Sequence, residues 1–259
     1  NVVVVYGKWI GKTVTGDLGA SYRTGQDVSE ALSQRFPVSL ELMIFAQLFA
    51  LILAIPIGVF TAYRAGGVID RLWSASAFAI MAVPAFVLGL LLIYIFPVKL
   101  DWLQISGFTR LTEDLVGNIR SLILPGITLG LLQVAIYSRI LRSDMIATLQ
   151  EDYVMMARAK GLSTRRILLG HALRPSSFSL LTLAGLNIGQ LLSGAVIVEY
   201  MFSLPGVGLL MVESIAAKEL MMLQGAILVI VVGYVIINLL VDVLYSVLDP
   251  RIRQAGARV

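Results

Sequence analysis

The chain has 259 residues, 58% of them hydrophobic and 14% charged, with a mean hydropathy of +0.88 and a net charge of +4. Soluble domains run at roughly 45–50% apolar and about 25% charged, so this surplus exceeds what a globular core hides and points to a membrane protein. The absence of cysteine excludes a disulfide framework, a thiol nucleophile and a thiol metal site, and the basic balance fits inner loops of a membrane protein without calling for nucleic acid.

The first segment, VVVVYGKWIGKT, resembles a strand entering a phosphate-binding loop, but Gly7 lies one residue too close to Gly11, Lys12 and Thr13 for that motif. Trp9, Ile10, Val14 and Leu18 recur near a helical period, so residues 1–37 read as a partly amphipathic outer region. Five spans are then expected at Val38–Tyr63, Leu72–Pro97, Leu122–Leu141, Phe178–Tyr200 and Gln224–Val247, since a crossing needs about 20 mostly apolar residues. The pairs Gly126/Gly130 and Gly185/Gly189 place small residues four apart, where helices approach closely. The expected fold is an all-α polytopic membrane protein: a transmembrane domain over 38–250, outer loops at 98–121 and 201–223, and a tail at 251–259.

Loop charge sets the orientation, because Lys and Arg are retained on the cytoplasmic side. Arg64, Arg71, the basic stretch Arg139–Arg174, Arg251, Arg253 and Arg258 fall in one set of segments, where bases outnumber acids. The other set is slightly acidic and holds Asp17, Asp27, Glu30, Glu41, Asp101, Glu113, Asp114, Glu199, Glu213 and Glu219. The basic set is therefore expected inside, with a cytoplasmic C-terminus and residues 1–37 outside. A further span is then expected ahead of Asn1.

The loop at 144–175 carries most of the inner charge. Glu151 and Asp152 suit the start of a helix over Tyr153–Lys160, and Gly161 suits a left-handed stop. Ser163 suits the N-cap of a second helix, Thr164–Leu173, with Pro175 marking the next span. Tyr153, Met156, Ala157 and Lys160 share a face of the first helix, a compact knob for a groove in another protein or an interfacial stripe against headgroups. His171, the single histidine, has no acidic cluster for a metal site and is expected to cap the second helix or meet a partner.

Here residue identities resemble a family. ARAKG at Ala157–Gly161 and HALRP at His171–Pro175 look like the EAA loop of permease subunits of ATP-binding-cassette importers, in particular the B-type subunits of dipeptide and oligopeptide permeases. GDLGASY (Gly16–Tyr22), EYMFSLPGVG (Glu199–Gly208) and DVLYSVLDPR (Asp242–Arg251) agree, so the resemblance runs along the whole chain. Met155 departs from the family's Glu, and ELMM (Glu219–Met222) departs from its usual R-D-Y-P.

The resemblance implies a non-catalytic permease in a bacterial inner membrane, paired with a second homologous permease, two cytoplasmic ATPases that bind ATP and magnesium, and an extracytoplasmic solute-binding protein. This chain itself would hold no cofactor. Asp152, Tyr153, Met156, Ala157, Arg158, Ala159, Lys160 and Gly161 would form the coupling helix seated in an ATPase, and a peptide is the first expectation for the substrate, ahead of a nickel chelate, haem or sugar. Asn187, Gln190 and Asn238 are candidates to line a pathway or to bridge helices, because polar groups within spans raise a functional question by default. The outer helix expected over Val207–Lys218 is a candidate gate or docking scoop, or a surface helix lying in the headgroups. An intramembrane enzyme would need a catalytic constellation, and the spans show no HExxH, paired Asp or Cys. A secondary transporter would show buried charge along several spans, and Asp242 alone approaches that.

Overall fold

A computed structural model describes residues 2–248. The DVLYSVLDPR motif and the tail at 251–259 extend past these residues, and the side chain of Asp242 also lies outside the description. The elements in order are α1 (Val2–Val14), α2 (Val28–Tyr63), α3 (Val68–Ala82), α4 (Ala85–Ile93) running into a π-turn at Tyr94–Lys99, α5 (Leu115–Thr148), α6 (Asp152–Ala159), α7 (Thr164–Arg166), a second π-turn at Ile167–Ala172, α8 (Leu173–Phe202), α9 (Val207–Ala217) and α10 (Leu220–Leu248). Val28–Tyr63, Leu115–Thr148, Thr164–Phe202 and Leu220–Val241 are each long and apolar enough to cross a bilayer, and a fifth crossing is counted when α3 and α4 are taken together.

Helices outrun the apolar windows wherever a cap is present. α2 begins at Val28, ten residues ahead of the expected Val38, because the Asp27 carboxylate accepts from the N–H groups of Ser29 (2.8 Å) and Glu30 (3.3 Å). α5 begins at Leu115 because Asp114 accepts from Val116 and Gly117, each at 3.0 Å.

Two expectations are corrected. The span expected over Leu72–Pro97 is two helices meeting at 104°. Pro84 has no N–H to donate and its ring excludes the α conformation from Val83, which sits extended at φ −95°, ψ 128°. The boundary expected at Pro175 is absent, and Thr164–Phe202 runs as one helical stretch. Pro175 leaves the carbonyl at His171 without its α-helical donor, and the π-turn just upstream absorbs the mismatch before α8 resumes at Leu173. His171 therefore lies half-buried inside that turn rather than at a helix end.

α2, α5 and α8 form the centre of the bundle. Gly126 and Gly130 of α5 meet Phe45, Ala46 and Phe49 of α2 so closely that a Cβ at either glycine would collide. Gly189 is filled in the same way by Tyr234 of α10, and Gly185 is buried. Large side chains such as Ile44, Leu48, Ile52, Val231, Val235 and Leu239 are exposed along α2 and α10, an apolar perimeter suited to lipid.

Two apolar clusters stack along the central helices. One gathers Leu42, Ala46, Leu122, Leu129, Leu191, Ala195 and Phe202, and the other Ala50, Ala54, Val134, Tyr137, Leu141, Leu180 and Ala184. The first leads toward α9 and the second toward α6, and a polar layer separates them.

Candidate functional site

α6 is eight residues long, too short to persist alone in water, where isolated helices under about 12–15 residues are marginal. It is held by packing. Val154 (0% exposed) and Ala157 (7%) cluster with Ile167 at the start of the next helical stretch, flanked by Leu149 and Leu162. Full burial of a Val side chain contributes about 1.5–3 kcal/mol. The end of α6 is a Schellman arrangement: Leu162 N–H donates to Ala157 O (3.2 Å), Gly161 N–H donates to Arg158 O (2.9 Å), and Gly161 holds φ +76°. Alongside, Ser176 Oγ donates to Thr148 Oγ1 at 2.9 Å, joining the end of α5 to the start of α8.

This docking divides the candidate coupling residues into two groups. Tyr153, Met155 and Met156 are exposed at 44%, 52% and 61%, and Asp152, Arg158, Ala159, Lys160 and Gly161 are also exposed. Ala157 is turned onto its own chain, which corrects the shared face with Tyr153 and Met156 that the spacing implied. Met155 stands in its place on the outward surface. Ser163 occupies the position before Thr164 in extended backbone, but its side chain makes no capping bond.

The polar layer lies between the two clusters. Asn187 Nδ2 donates to Gln133 Oε1 at 3.0 Å, linking α8 to α5. Tyr137 Oη donates to Gln47 Oε1 at 3.2 Å, and Gln47 Nε2 donates to Ala184 O at 3.4 Å, linking α5, α2 and α8. Gln190 is exposed and shares a cavity of about 260 Å³ with Gln133, walled by Leu129, Gly194 and, just past the Pro84 break, Ala85 and Phe86. Asn187, Gln190 and Gln133 are thus brought together, whereas Asn238 stands on the far side of α8, near Gly189. Gln47, Gln133 and Tyr137 escaped the sequence reading because a lone amide inside AQLFA or LLQVAIY carries no periodic signal. Among the described residues no group of His, Asp and Glu is placed to hold a metal ion.

At the opposite end of the bundle, the EYMFSLPGVG stretch folds into a tight junction. α8 stops at Ser203 in left-handed backbone (φ 52°, ψ 37°), with Leu204 N–H on Glu199 O at 2.9 Å. The fully buried Glu199 side chain turns under α9 and accepts from Gly208 N–H (2.7 Å) and Leu209 N–H (3.2 Å), placing a carboxylate at a helix N-terminus. Gly206 and Gly208 leave no room for a Cβ against that carboxylate. Val207 N–H donates to Ser39 Oγ at 2.9 Å, fixing α9 to α2. The GDLGASY loop packs beside it, where Ser21 Oγ donates to a Glu219 carboxylate oxygen at 2.7 Å. The Glu219 departure is thus a structural contact of the N-terminal loop.

Long apolar helices around a buried amide layer, with a short helix displayed between two spans, define a multi-pass integral membrane protein. The chain belongs to the family described as binding-protein-dependent transport system inner membrane components, whose model matches residues 54–254. It is 37% identical over 251 residues to a putative peptide transport system permease protein of Brucella abortus, covering 97% of this chain and 80% of the relative. It is 39% identical over 264 residues to the dipeptide transport system permease protein DppB of Haemophilus influenzae (95% and 79% covered). It is 37% identical over 252 residues to the oligopeptide transport system permease protein AppB of Bacillus subtilis (96% and 80% covered).

Proposed function

We propose that this chain is a permease subunit of an ATP-driven importer of di- or oligopeptides, working by alternating access, and that α6 is the coupling helix through which ATPase motion reaches the spans. The observation that carries the reading is the display of α6. Its Val154–Ala157 side is anchored to the bundle while Tyr153, Met155 and Met156 face outward with Arg158 and Lys160 beside them. An exposed apolar patch on a polar loop is the surface of a helix that seats in a partner's groove. The peptide substrate rests on the names of the relatives.

The partners are a second permease, two cytoplasmic ATPases that carry ATP and magnesium, and an extracytoplasmic binding protein. In this reading the α6 end and the C-terminus are cytoplasmic, and α9 with the GDLGASY loop is extracytoplasmic. ATP-driven closure of the ATPases moves the two coupling helices together and favours the outward-open state, and hydrolysis restores the inward-open one. A difference in partner affinity between the two states suffices as the driving term.

Met156→Glu should leave membrane insertion intact, lower recovery of the ATPases in co-purification at least severalfold, and abolish peptide uptake. Full ATPase recovery with this variant would refute α6 as the coupling element. Recovery of ATPases with uptake of sugar rather than peptide would refute the substrate alone.

A further inference from the structure

Arg139 and Arg142 lie three residues apart on α5, yet only Arg142 has a carboxylate. Its guanidinium grips Asp70 through two oxygens, with Arg142 Nη2 on Asp70 Oδ2 at 2.7 Å, and Gly66 N–H completes the carboxylate at 2.8 Å. Arg139 lies about 4.5 Å farther along the helix, away from the α6 end. Among the described residues no carboxylate lies within ion-pairing distance of it. Its guanidinium instead covers the Phe78 ring, 4.2 Å from the centroid, and reaches Met81 Sδ at 3.4 Å.

The groove that holds it, between α3 and α5, is a cavity of about 450 Å³ lined by Ser74, Phe78, Met81, Arg139, Arg142 and Ser143. Two hydroxyl side chains and an uncompensated cation therefore share one apolar recess. Outside it, α3 exposes Val68, Ile69 and Leu72, and Phe78 and Met81 of its wall are exposed too. A freely diffusing anion has no use for such a wall, whereas an anion carried on hydrocarbon chains matches both parts.

We propose that this groove binds the phosphate of an anionic phospholipid. Arg139 is the charged ligand, Ser74 and Ser143 are supplementary donors, and the acyl chains lie against Phe78 and Met81. Asp70, the carboxylate on Arg142, is already neutralised by it. Basic recesses between spans near the inner surface are the places where such headgroups bind. The assignment to the cytoplasmic leaflet rests on the orientation proposed above; the phosphate site itself does not.

The test is native mass spectrometry of the purified transporter complex released from nanodiscs containing phosphatidylglycerol or phosphatidylcholine. The wild-type complex should retain phosphatidylglycerol preferentially, Arg139→Ala should lose that preference roughly fivefold, and Arg139→Lys should keep most of it. Arg166→Ala, exposed at the end of α7, should match wild type. Phe78→Leu, which removes the stacking ring while keeping an apolar wall, should weaken retention partially and serves if Arg139→Ala does not assemble. Equal retention by wild type and Arg139→Ala overturns the proposal. So does unchanged lipid retention with uptake that falls for free-acid peptides but not for amidated ones, because the anion is then substrate. A Ser163→Cys variant labelled only from outside overturns the leaflet assignment while leaving the retention result to stand by itself.

Discussion

Gly161 holds φ +76° at the point where α6 ends, and two Schellman hydrogen bonds depend on it. Nothing crowds the position where a Cβ would stand, so the demand is on backbone alone. Gly161→Ala should cost about 1–2 kcal/mol locally. It should loosen α6, seen as faster amide exchange at Leu162, and reduce uptake without changing the amount of protein in the membrane. Asp27 illustrates a second kind of residue. Hydrogen bonding from Ser29 and Glu30 holds its carboxyl below the ordinary aspartate range. A depressed carboxyl stabilises above its unfolded value and loses that contribution as pH falls through the folded one. Protection of the Ser29 and Glu30 amides, measured against their intrinsic exchange at each pH, should therefore hold at neutral pH and fall only in acid, and Asp27→Asn should flatten that profile. Glu199 is more demanding still, because it is buried and serves α9 from another helix. Glu199→Ala should release the start of α9 at a cost of about 2 kcal/mol, measurable as protease cleavage near Gly206.

Each helix tests how far local signals extend. The helix of the last span was legible in the sequence almost to its ends, because α10 is apolar apart from a few residues such as Gln224, Asn238 and Asp242 and lacks an internal proline. α2 and α5 were legible in their apolar middles, but their starts are set by Asp27 and Asp114, polar caps outside any hydropathy window. The break at Pro84 was missed for a related reason. Proline inside a membrane helix is often tolerated, and Pro37, Pro56 and Pro125 all lie within continuous helices here. Pro84 differs in that Val83 is extended and the following helix turns to wall the amide cavity. Pro84→Ala should favour a straighter α3–α4 and close that cavity. A cysteine at Gln190 should then react more slowly with small aqueous thiol reagents, and an unchanged rate would separate the cavity from the break. For α6 the outline was legible from Glu151, Asp152 and Gly161, but not the inward rotation of Ala157, which depends on Ile167 across the loop. Accordingly Ala157→Trp should unseat α6 from its own chain, whereas Met156→Glu should disturb only what lies beyond it.

At the scale of the whole chain, family membership and helical class were carried by motifs, and the structure supplies the reason those motifs are spaced as they are. GDLGASY and EYMFSLPGVG lie far apart in sequence yet pack around α9, joined through Glu219, Ser39 and Glu199. ARAKG supplies Ala157 to the small cluster under α6, and HALRP supplies Ala172 to the larger cluster of the central helices. What composition left dark is the middle of the bundle, where polar pairs are recognisable only once α2, α5 and α8 are brought side by side.

That middle layer bears on any movement of the spans in the proposed cycle. One turn away from Gln47 stand Met43 and Leu51, and one turn away from Asn187 stand Leu183 and Leu191. Sliding a helix lengthwise by a turn would strand amides against hydrocarbon, whereas tilting about them keeps every donor near its acceptor. In the proposed cycle the central trio would serve as a pivot without a piston, and a stroke delivered at one end would emerge at the other as a change of angle.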